Sequence, residues 1–129
     1  LMEIRFLIEP SIAAMAAIRA DETDIKNILT ACENTEKLLL ANKNHAEKDI
    51  AFHTAIALSS KNIVVPKLVP IINSSIPLIR ESAKFTMRDE TIEIHREIAD
   101  AIAAHDAVRA HDAMYLHLIY NRKHIKSIN

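Results

Sequence analysis

Hydrophobic residues recur every three or four positions along most of this chain, which is the period of an amphipathic helix. Six such segments follow one another, and the predicted helices span about 1–20, 21–40, 45–59, 63–85, 86–102 and 106–125. Asp21 or Thr23 is expected to cap the second helix, Thr86 or Asp89 the fifth, and Asp106 the sixth. The connections are short, so sequential helices are predicted to pack as antiparallel neighbours.

Prolines interrupt two of these segments. Pro10 lies inside the first predicted helix and three prolines lie inside the fourth. Because proline lacks a backbone donor and clashes with the preceding turn, we expect a kink in the first helix. In the fourth we expect bends, or a division into shorter pieces. The inward stripe of the first helix is predicted at Ile4, Ile8, Ile12 and Met15.

Composition supports helices throughout. The 129 residues contain no glycine and 4% aromatic residues, whereas sheets rely on glycine-rich tight turns and on β-branched or aromatic faces. Alanine, leucine, isoleucine, glutamate and lysine dominate, and these favour helices. The length fits one domain. The predicted fold is therefore an all-α, antiparallel bundle of about six helices.

The charge balance argues against direct binding of nucleic acid by this chain. The formal net charge is −1, with 16 basic and 17 acidic residues spread along the chain. A duplex-binding surface needs a concentrated basic footprint, and the cluster at 122–126 is too short to form one. The longest nearly uncharged stretch, 62–79, is interrupted by Lys67 and three prolines, which indicates a buried helix rather than a membrane span. Cys32 stands alone, so we expect a reducing, cytoplasmic setting.

The candidate chemistry lies among the seven histidines. Asp49 and His53 are four residues apart and project from the inward side of the third helix. His95 and His117 occupy the inward stripes of the fifth and sixth helices. Such groups are expensive to bury without compensation, and a divalent metal would compensate all four. The alternative is that each is a satisfied core polar group, for example through an Asp49–His53 hydrogen bond.

Four stretches together carry a family likeness: EIRFLIEP at 3–10 with AAMAA at 13–17, DIAFH at 49–53 with SKN at 60–62, HREIADAI at 95–102 before Asp106, and MYLHL at 114–118. With these, the chain resembles the C-terminal effector-binding domain of the FadR subgroup of GntR-type transcription regulators, often called the FCD domain. The likeness covers nearly the whole chain. It departs at His105, where relatives usually have glycine.

The resemblance implies a role for each of the four inward residues. In the metal-binding members of the family, an aspartate and three histidines at these places are the ligands, which names Asp49, His53, His95 and His117. The resemblance also implies a homodimer and an N-terminal winged-helix DNA-binding domain. The chain begins on a helical residue without an initiator methionine, so we expect residues 1–129 to be the ligand- and metal-binding domain of a longer protein.

Three imidazoles and one carboxylate suit zinc above all, with nickel or another transition metal as further possibilities. Open coordination positions would accept a small organic acid, and Arg5 is its natural partner, because guanidinium matches carboxylate geometry. The resemblance supports this role for Arg5. The alternative is a surface pair between Arg5 and Glu9. Asn73, Arg80 and Asn121 are further candidate effector-binding residues.

The function expected from these observations is effector sensing by a transcription regulator, without enzymatic activity. DNA would be contacted only through the missing domain, and no membrane is involved. One alternative is a helical-bundle metalloenzyme acting on a small acid. Against it, the sequence holds no Glu-x-x-His motif of the kind that di-iron bundles use and no nucleophile–base pair. The other alternative is a metal-stabilised dimerisation module without an effector.

Overall fold

The computed structural model describes the backbone of residues 2–83 and 88–128 and the side chains of residues 2–74 and 88–123. Within these ranges the chain forms six helices and no strand, so the all-α prediction is confirmed. No helix of that part of the chain has the length and unbroken apolar character that a bilayer crossing requires. The helices are α1 (Met2–Arg19), α2 (Glu22–Leu40), α3 (Ala46–Ser59), α4 (Val65–Ala83), α5 (Arg88–Ala103) and α6 (Ala107–Ile128).

Aspartates mark the beginnings of two helices. Asp21 caps α2, and its side chain and that of Asp24 accept each other's backbone N–H groups in a capping box. At α6, the Asp106 carboxylate accepts the backbone N–H of Arg109 at 3.1 Å. These bonds satisfy donors that the first helical turn leaves without intrahelical partners. Of the two caps predicted for α2, Asp21 is the correct one.

The fourth and fifth helices differ in detail from the prediction. Helix α4 begins at Val65 and runs to Ala83 without division into shorter pieces. Pro66 stands in its first turn, where the missing N–H costs little. In α5, Asp89 lies in the first turn rather than at the cap, where its charge still suits the helix dipole. The other predicted cap, Thr86, lies outside the described residues.

The buried face of α1 agrees with the prediction at Ile12, and Ile8 and Met15 pack partly buried against the core, but the prediction fails at Ile4. Ile4 is 42% exposed, whereas Arg5, Glu9, Ile12 and Ala13 are buried. The prediction for Ile4 was wrong because it assumed that charged residues face the solvent. Arg5 and Glu9 instead turn inward as a pair, which rotates the helix and leaves an alanine-rich surface for close packing.

Helix α1 lies at the centre of the packing. It contacts α6 most extensively and also packs against α3, α5 and α4, while α2 packs against α3 and α5. Sequential packing holds for α2–α3, α3–α4 and α5–α6. Among the described residues, α1 does not pack against α2, and α4 does not pack against α5. The bundle interior between α1, α3, α5 and α6 is therefore where side chains distant in sequence meet.

In the part of the chain that the structure describes, three residues adopt a left-handed conformation: Asn42, Lys61 and His105, with φ of 55°, 56° and 56°. His105 ends α5 in a Schellman-type turn, in which Asp106 N–H donates to the Ala101 carbonyl at 2.9 Å. A left-handed residue other than glycine costs roughly 1–2 kcal/mol. The His105 ring offsets part of this, because its Nδ1 lies 2.9 Å from the Ala17 carbonyl oxygen. The turn is thus kept although His105 stands where relatives usually have glycine.

We predict that Asp106→Ala lowers the free energy of unfolding by about 1 kcal/mol, because it removes the N-cap of α6. Urea denaturation of the metal-free protein measures the effect. Asp112→Ala is the matched control, since Asp112 is an exposed aspartate inside the same helix. Equal losses in the two variants would contradict a specific capping role.

Candidate metal centre

Four polar side chains from three helices meet in the bundle interior. Asp49 and His53 come from α3, His95 from α5 and His117 from α6, and their exposed fractions lie between 1% and 3%. The four-residue spacing on α3 places Asp49 and His53 one turn apart on the same face. The structure thus brings together all four residues that the sequence analysis singled out as candidate ligands.

The distances between their polar atoms are short enough for one ion. Asp49 Oδ1 lies 3.5 Å from His53 Nε2 and 3.5 Å from His95 Nε2. One ligand atom from each of His53, His95 and His117 lies within 4.8 Å of the others. Ligands bound at about 2.1 Å in a tetrahedral zinc site are separated by roughly 3.4 Å. The three buried histidines could therefore hold a metal ion, with Asp49 on the side of His53 and His95.

Two of the ring nitrogens, His53 Nε2 and His117 Nε2, are buried and form no hydrogen bond with the residues described. His53 Nε2 lies 3.5 Å from Asp49 Oδ1, within ion-pair distance. A buried polar atom without a partner carries a desolvation penalty that proteins rarely tolerate. A nitrogen lone pair directed at a cation would remove that penalty. The donor set therefore fits a divalent metal.

The opposite side of the His53 ring is held by a residue that the sequence analysis did not place in the site. His53 Nδ1 lies 2.8 Å from Glu9 Oε1, and Arg5 Nε donates to Glu9 Oε2 at 2.5 Å. The sequence analysis considered Glu9 only as a surface partner of Arg5. The available clue was its position in the period of Ile12, Ala13 and Ala16, which are buried on the same side of α1.

Charges acting across this cluster shift the pKa values of its members. Burial by itself raises the pKa of Glu9, but the charges of His53 and Arg5 outweigh burial and lower it. Burial by itself lowers the pKa of His53, but Glu9 and Asp49 outweigh burial and raise it to about 9. The metal-free protein therefore holds His53 as an imidazolium near neutral pH.

His117 behaves in the opposite way. Burial lowers the pKa of its imidazole well below the ordinary value of 6.5, and the charges of His95 and His53 lower it further. The ring is therefore neutral near pH 7 and keeps a lone pair, as a metal ligand must. The Arg5 charge also contributes to this shift, so the guanidinium acts on the same part of the interior.

Arg5 forms an ion pair with Glu9, and its geometry is also compatible with binding an organic acid. It pairs with Glu9 as expected for a four-residue spacing, but the pair is buried, with Arg5 at 0% exposure. Its Nη1 and Nη2 atoms are also buried, and no hydrogen-bond partner for them occurs among the described residues. A guanidinium that is held through Nε can still donate from its two terminal nitrogens to a carboxylate in two-pronged fashion.

Of the other candidate effector residues, one lies near the histidines and one does not, and the third has no described side chain. Asn121 is fully buried, and both atoms of its amide lack partners in the described part of the chain. It lies one turn beyond His117 and therefore on the same face of α6. Asn73 donates to Thr54 Oγ1 on α3 at 3.5 Å, and no described contact joins it to the histidines. Arg80 lies outside the residues whose side chains are described.

Similar proteins are transcription regulators. A family model described as the FCD domain matches residues 1–119. The chain is 29% identical over 125 residues to an uncharacterized HTH-type transcriptional regulator, YcbG, of Bacillus subtilis, covering 97% of the chain and 53% of that protein. It is 30% identical over 125 residues to the HTH-type transcriptional regulator LutR of Bacillus subtilis, covering 92% of the chain and 57% of that protein. Both relatives are named as transcriptional regulators, which confirms the prediction of a regulator domain rather than an enzyme.

A solved structure agrees in both fold and sequence. The chain superposes on Streptococcus agalactiae GntR with a TM-score of 0.82 and 34% identity, over 95% of this chain and 56% of that one. The chain thus spans about half the length of the relatives that it matches.

The ion pair around His53 predicts a pH dependence of stability in the metal-free protein. The folded-state pKa of His53 is raised to about 9, so its contribution is complete below the ordinary pKa of 6.5 and is lost as the pH rises through 9. We expect the stability advantage of wild type over His53→Gln to shrink by up to about 3 kcal/mol between pH 6.5 and 10.

Urea denaturation in the presence of a chelator measures this advantage at each pH. His111→Gln is the control, because it makes the same substitution at an exposed histidine. A wild-type advantage over His53→Gln that is independent of pH would show that the Glu9–His53 pair carries no charge.

Proposed function

The chain belongs to the FCD domain family, and from this premise we propose that it senses an effector by binding one divalent metal ion and a small organic acid in the bundle interior. The observation that carries the proposal is the convergence of His53, His95 and His117 in a buried cluster, with Asp49 Oδ1 3.5 Å from the first two. Two imidazole nitrogens of this cluster, His53 Nε2 and His117 Nε2, form no hydrogen bond with the described residues. The residues 1–129 are proposed to act as the sensing half of a GntR-type transcription regulator.

The proposed metal ligands are Asp49, His53, His95 and His117. Imidazole and carboxylate donors suit zinc, and also nickel or a similar ion; we propose zinc. The bound ion would supply positive charge and open coordination positions for an anionic ligand. The four residues are buried, so they would hold the ion in a medium of low polarity, where its attraction for an anion would be strengthened.

The proposed acid lies between the metal and Arg5. The terminal nitrogens of Arg5 are buried without described partners, and a carboxylate would satisfy both at once. Asn121 adds an amide that can donate and accept, so the acid is expected to carry a second oxygen function near its carboxylate. Asn73 and Arg80 stay candidates for the outer part of the pocket.

We propose that ligand binding is transmitted as a change in helix arrangement, because the groups that contact the ligand lie on different helices. Arg5 belongs to α1, Asp49 and His53 to α3, His95 to α5, and His117 and Asn121 to α6. A ligand that binds one arrangement of these helices more tightly than another shifts the population toward it. In the longer protein, that shift would change how an N-terminal winged-helix domain meets its operator in the cytoplasm.

We propose that the longer protein forms a homodimer, because a dimer with two-fold symmetry matches the two half-sites of a symmetric operator. Apolar side chains on the outer surfaces of α1 and α6 are available to a second copy. Leu7, Ile18, Val108 and Leu116 are all more than half exposed. Burial of such residues between two copies would remove them from water.

We predict that the wild-type domain binds one Zn²⁺ or Ni²⁺ ion per chain. His95→Ala and His117→Ala should each lower the affinity at least a hundredfold, because each removes a proposed ligand. Isothermal titration calorimetry measures stoichiometry and affinity, and circular dichroism verifies that the variants are folded. His111→Ala is the control, because His111 is exposed on α6. Unchanged stoichiometry and affinity in both ligand variants would refute the metal site.

We further predict that small carboxylates stabilise the metal-loaded domain. At a hundred times its dissociation constant, a true effector raises the free energy of unfolding by roughly 2.7 kcal/mol. Arg5→Lys should abolish this gain, because lysine keeps the charge but loses the two-pronged geometry.

Arg109→Lys is the matched control, since Arg109 forms a two-pronged pair with Glu97 on the surface. A panel of acids that leaves the melting temperature unchanged would favour the remaining alternative, a metal-stabilised dimerisation module without an effector.

A further inference from the structure

We propose that Glu9 is a positioning residue of the metal centre, which keeps the proton of His53 on Nδ1 and thereby turns the Nε2 lone pair toward the ion. This inference rests on the proposed function, because it assigns Glu9 a role toward the proposed metal. Glu9 does not touch the ion. It acts through His53.

The geometry of the His53 ring carries the proposal. One nitrogen, Nδ1, lies 2.8 Å from Glu9 Oε1, across the α1–α3 contact. The other nitrogen, Nε2, lies 3.5 Å from Asp49 Oδ1. The ring therefore stands between two carboxylates with different tasks. Glu9 occupies the nitrogen that points away from the cluster, and Nε2 points into it.

Glu9 is itself held in one orientation. Its second oxygen accepts Arg5 Nε at 2.5 Å, and both side chains are buried. A buried ionised carboxylate is tolerated only when its oxygens are paired. Rotation of the Glu9 side chain would break the bonds to Arg5 and His53 together. Arg5 thus fixes Glu9, and Glu9 fixes His53.

The choice of a carboxylate at this position has a chemical consequence. An ionised carboxylate only accepts hydrogen bonds, so His53 must present an N–H group at Nδ1. In its neutral form, the ring then carries its lone pair on Nε2, which is the form that ligates a metal. The negative charge of Glu9 also strengthens the imidazole as a donor to the metal.

Glutamine at position 9 would have nearly the same shape as glutamate but would favour the other tautomer of His53. Arg5 Nε can only donate, so the amide oxygen of glutamine would turn toward Arg5 and the amide N–H toward His53. That N–H needs an acceptor at Nδ1, which moves the ring proton to Nε2. A ring protonated at Nε2 cannot bind the ion there. Glu9→Gln is therefore the informative variant.

The test compares Zn²⁺ affinity of wild type, Glu9→Gln and Glu97→Gln by competition with a chromophoric chelator. We expect Glu9→Gln to weaken binding 10- to 100-fold, which is typical for loss of a residue that orients a metal ligand. Glu97→Gln is the matched control and should bind as wild type does. It makes the same change in another glutamate–arginine pair, which is partly exposed and belongs to α5 and α6.

Nitrogen NMR of the histidine rings gives a second readout, which reports the position of the ring proton rather than the metal affinity and can be made on wild type alone. The His53 signals are assigned by their loss in His53→Gln. Zn²⁺-loaded wild type should show a proton on His53 Nδ1 and the metal on Nε2. Folded Glu9→Gln should show the proton on Nε2. In Zn²⁺-loaded wild type, a proton on Nε2 of His53 with the metal on Nδ1 would overturn the role of Glu9, even if Glu9→Gln failed to fold.

The outcomes separate this inference from the proposed function. Tight and equal Zn²⁺ binding by wild type and Glu9→Gln overturns the role of Glu9 alone and leaves the metal site intact. A wild-type protein that takes up neither Zn²⁺ nor Ni²⁺ overturns the proposed function, and the role of Glu9 with it.

Discussion

Charged side chains buried between α1, α3, α5 and α6 have to compensate one another, because none of them can reach bulk water. Arg5, Glu9, His53 and Asp49 form a continuous series of opposite charges at 3% exposure or less. In a medium of low polarity, removal of one member leaves its neighbour uncompensated, which is far more costly than the loss of a surface pair. The orientation of α1 depends on this series, since two of the charges lie on its inner face.

The surrounding fold makes that interior possible. Small residues on α1 allow close approach to α6, and the Phe52 ring packs against the rings of His53 and His95. Further large apolar side chains are fully buried in the same bundle; these include Ile56, Ile98, Ile102, Met114 and Leu118. Because the polar groups come from four helices, any ligand that binds them also binds a particular arrangement of those helices. A site between several elements is therefore suited to regulation, since ligand binding and helix placement are coupled in free energy.

The sequence predicted some parts of this site and missed others for identifiable reasons. Periodicity placed His95 and His117 on inward stripes, and the spacing of Asp49 and His53 placed both on one face. Glu9 was missed because a charged residue four positions from an opposite charge is normally a surface pair. Only the packing of α3 against α1 brings His53 to it, across 44 positions of sequence.

By itself, the sequence determined the six helices, two of their caps and the absence of strands in the described part, because hydrophobic period, capping residues and the lack of glycine act locally. The tertiary structure decided which helices are neighbours, how far α1 is rotated and which nitrogen of His53 faces the cluster. These features depend on the burial of apolar surface and the pairing of charges between distant segments. Local pattern cannot specify them, because the partner that makes a buried charge tolerable lies on another helix.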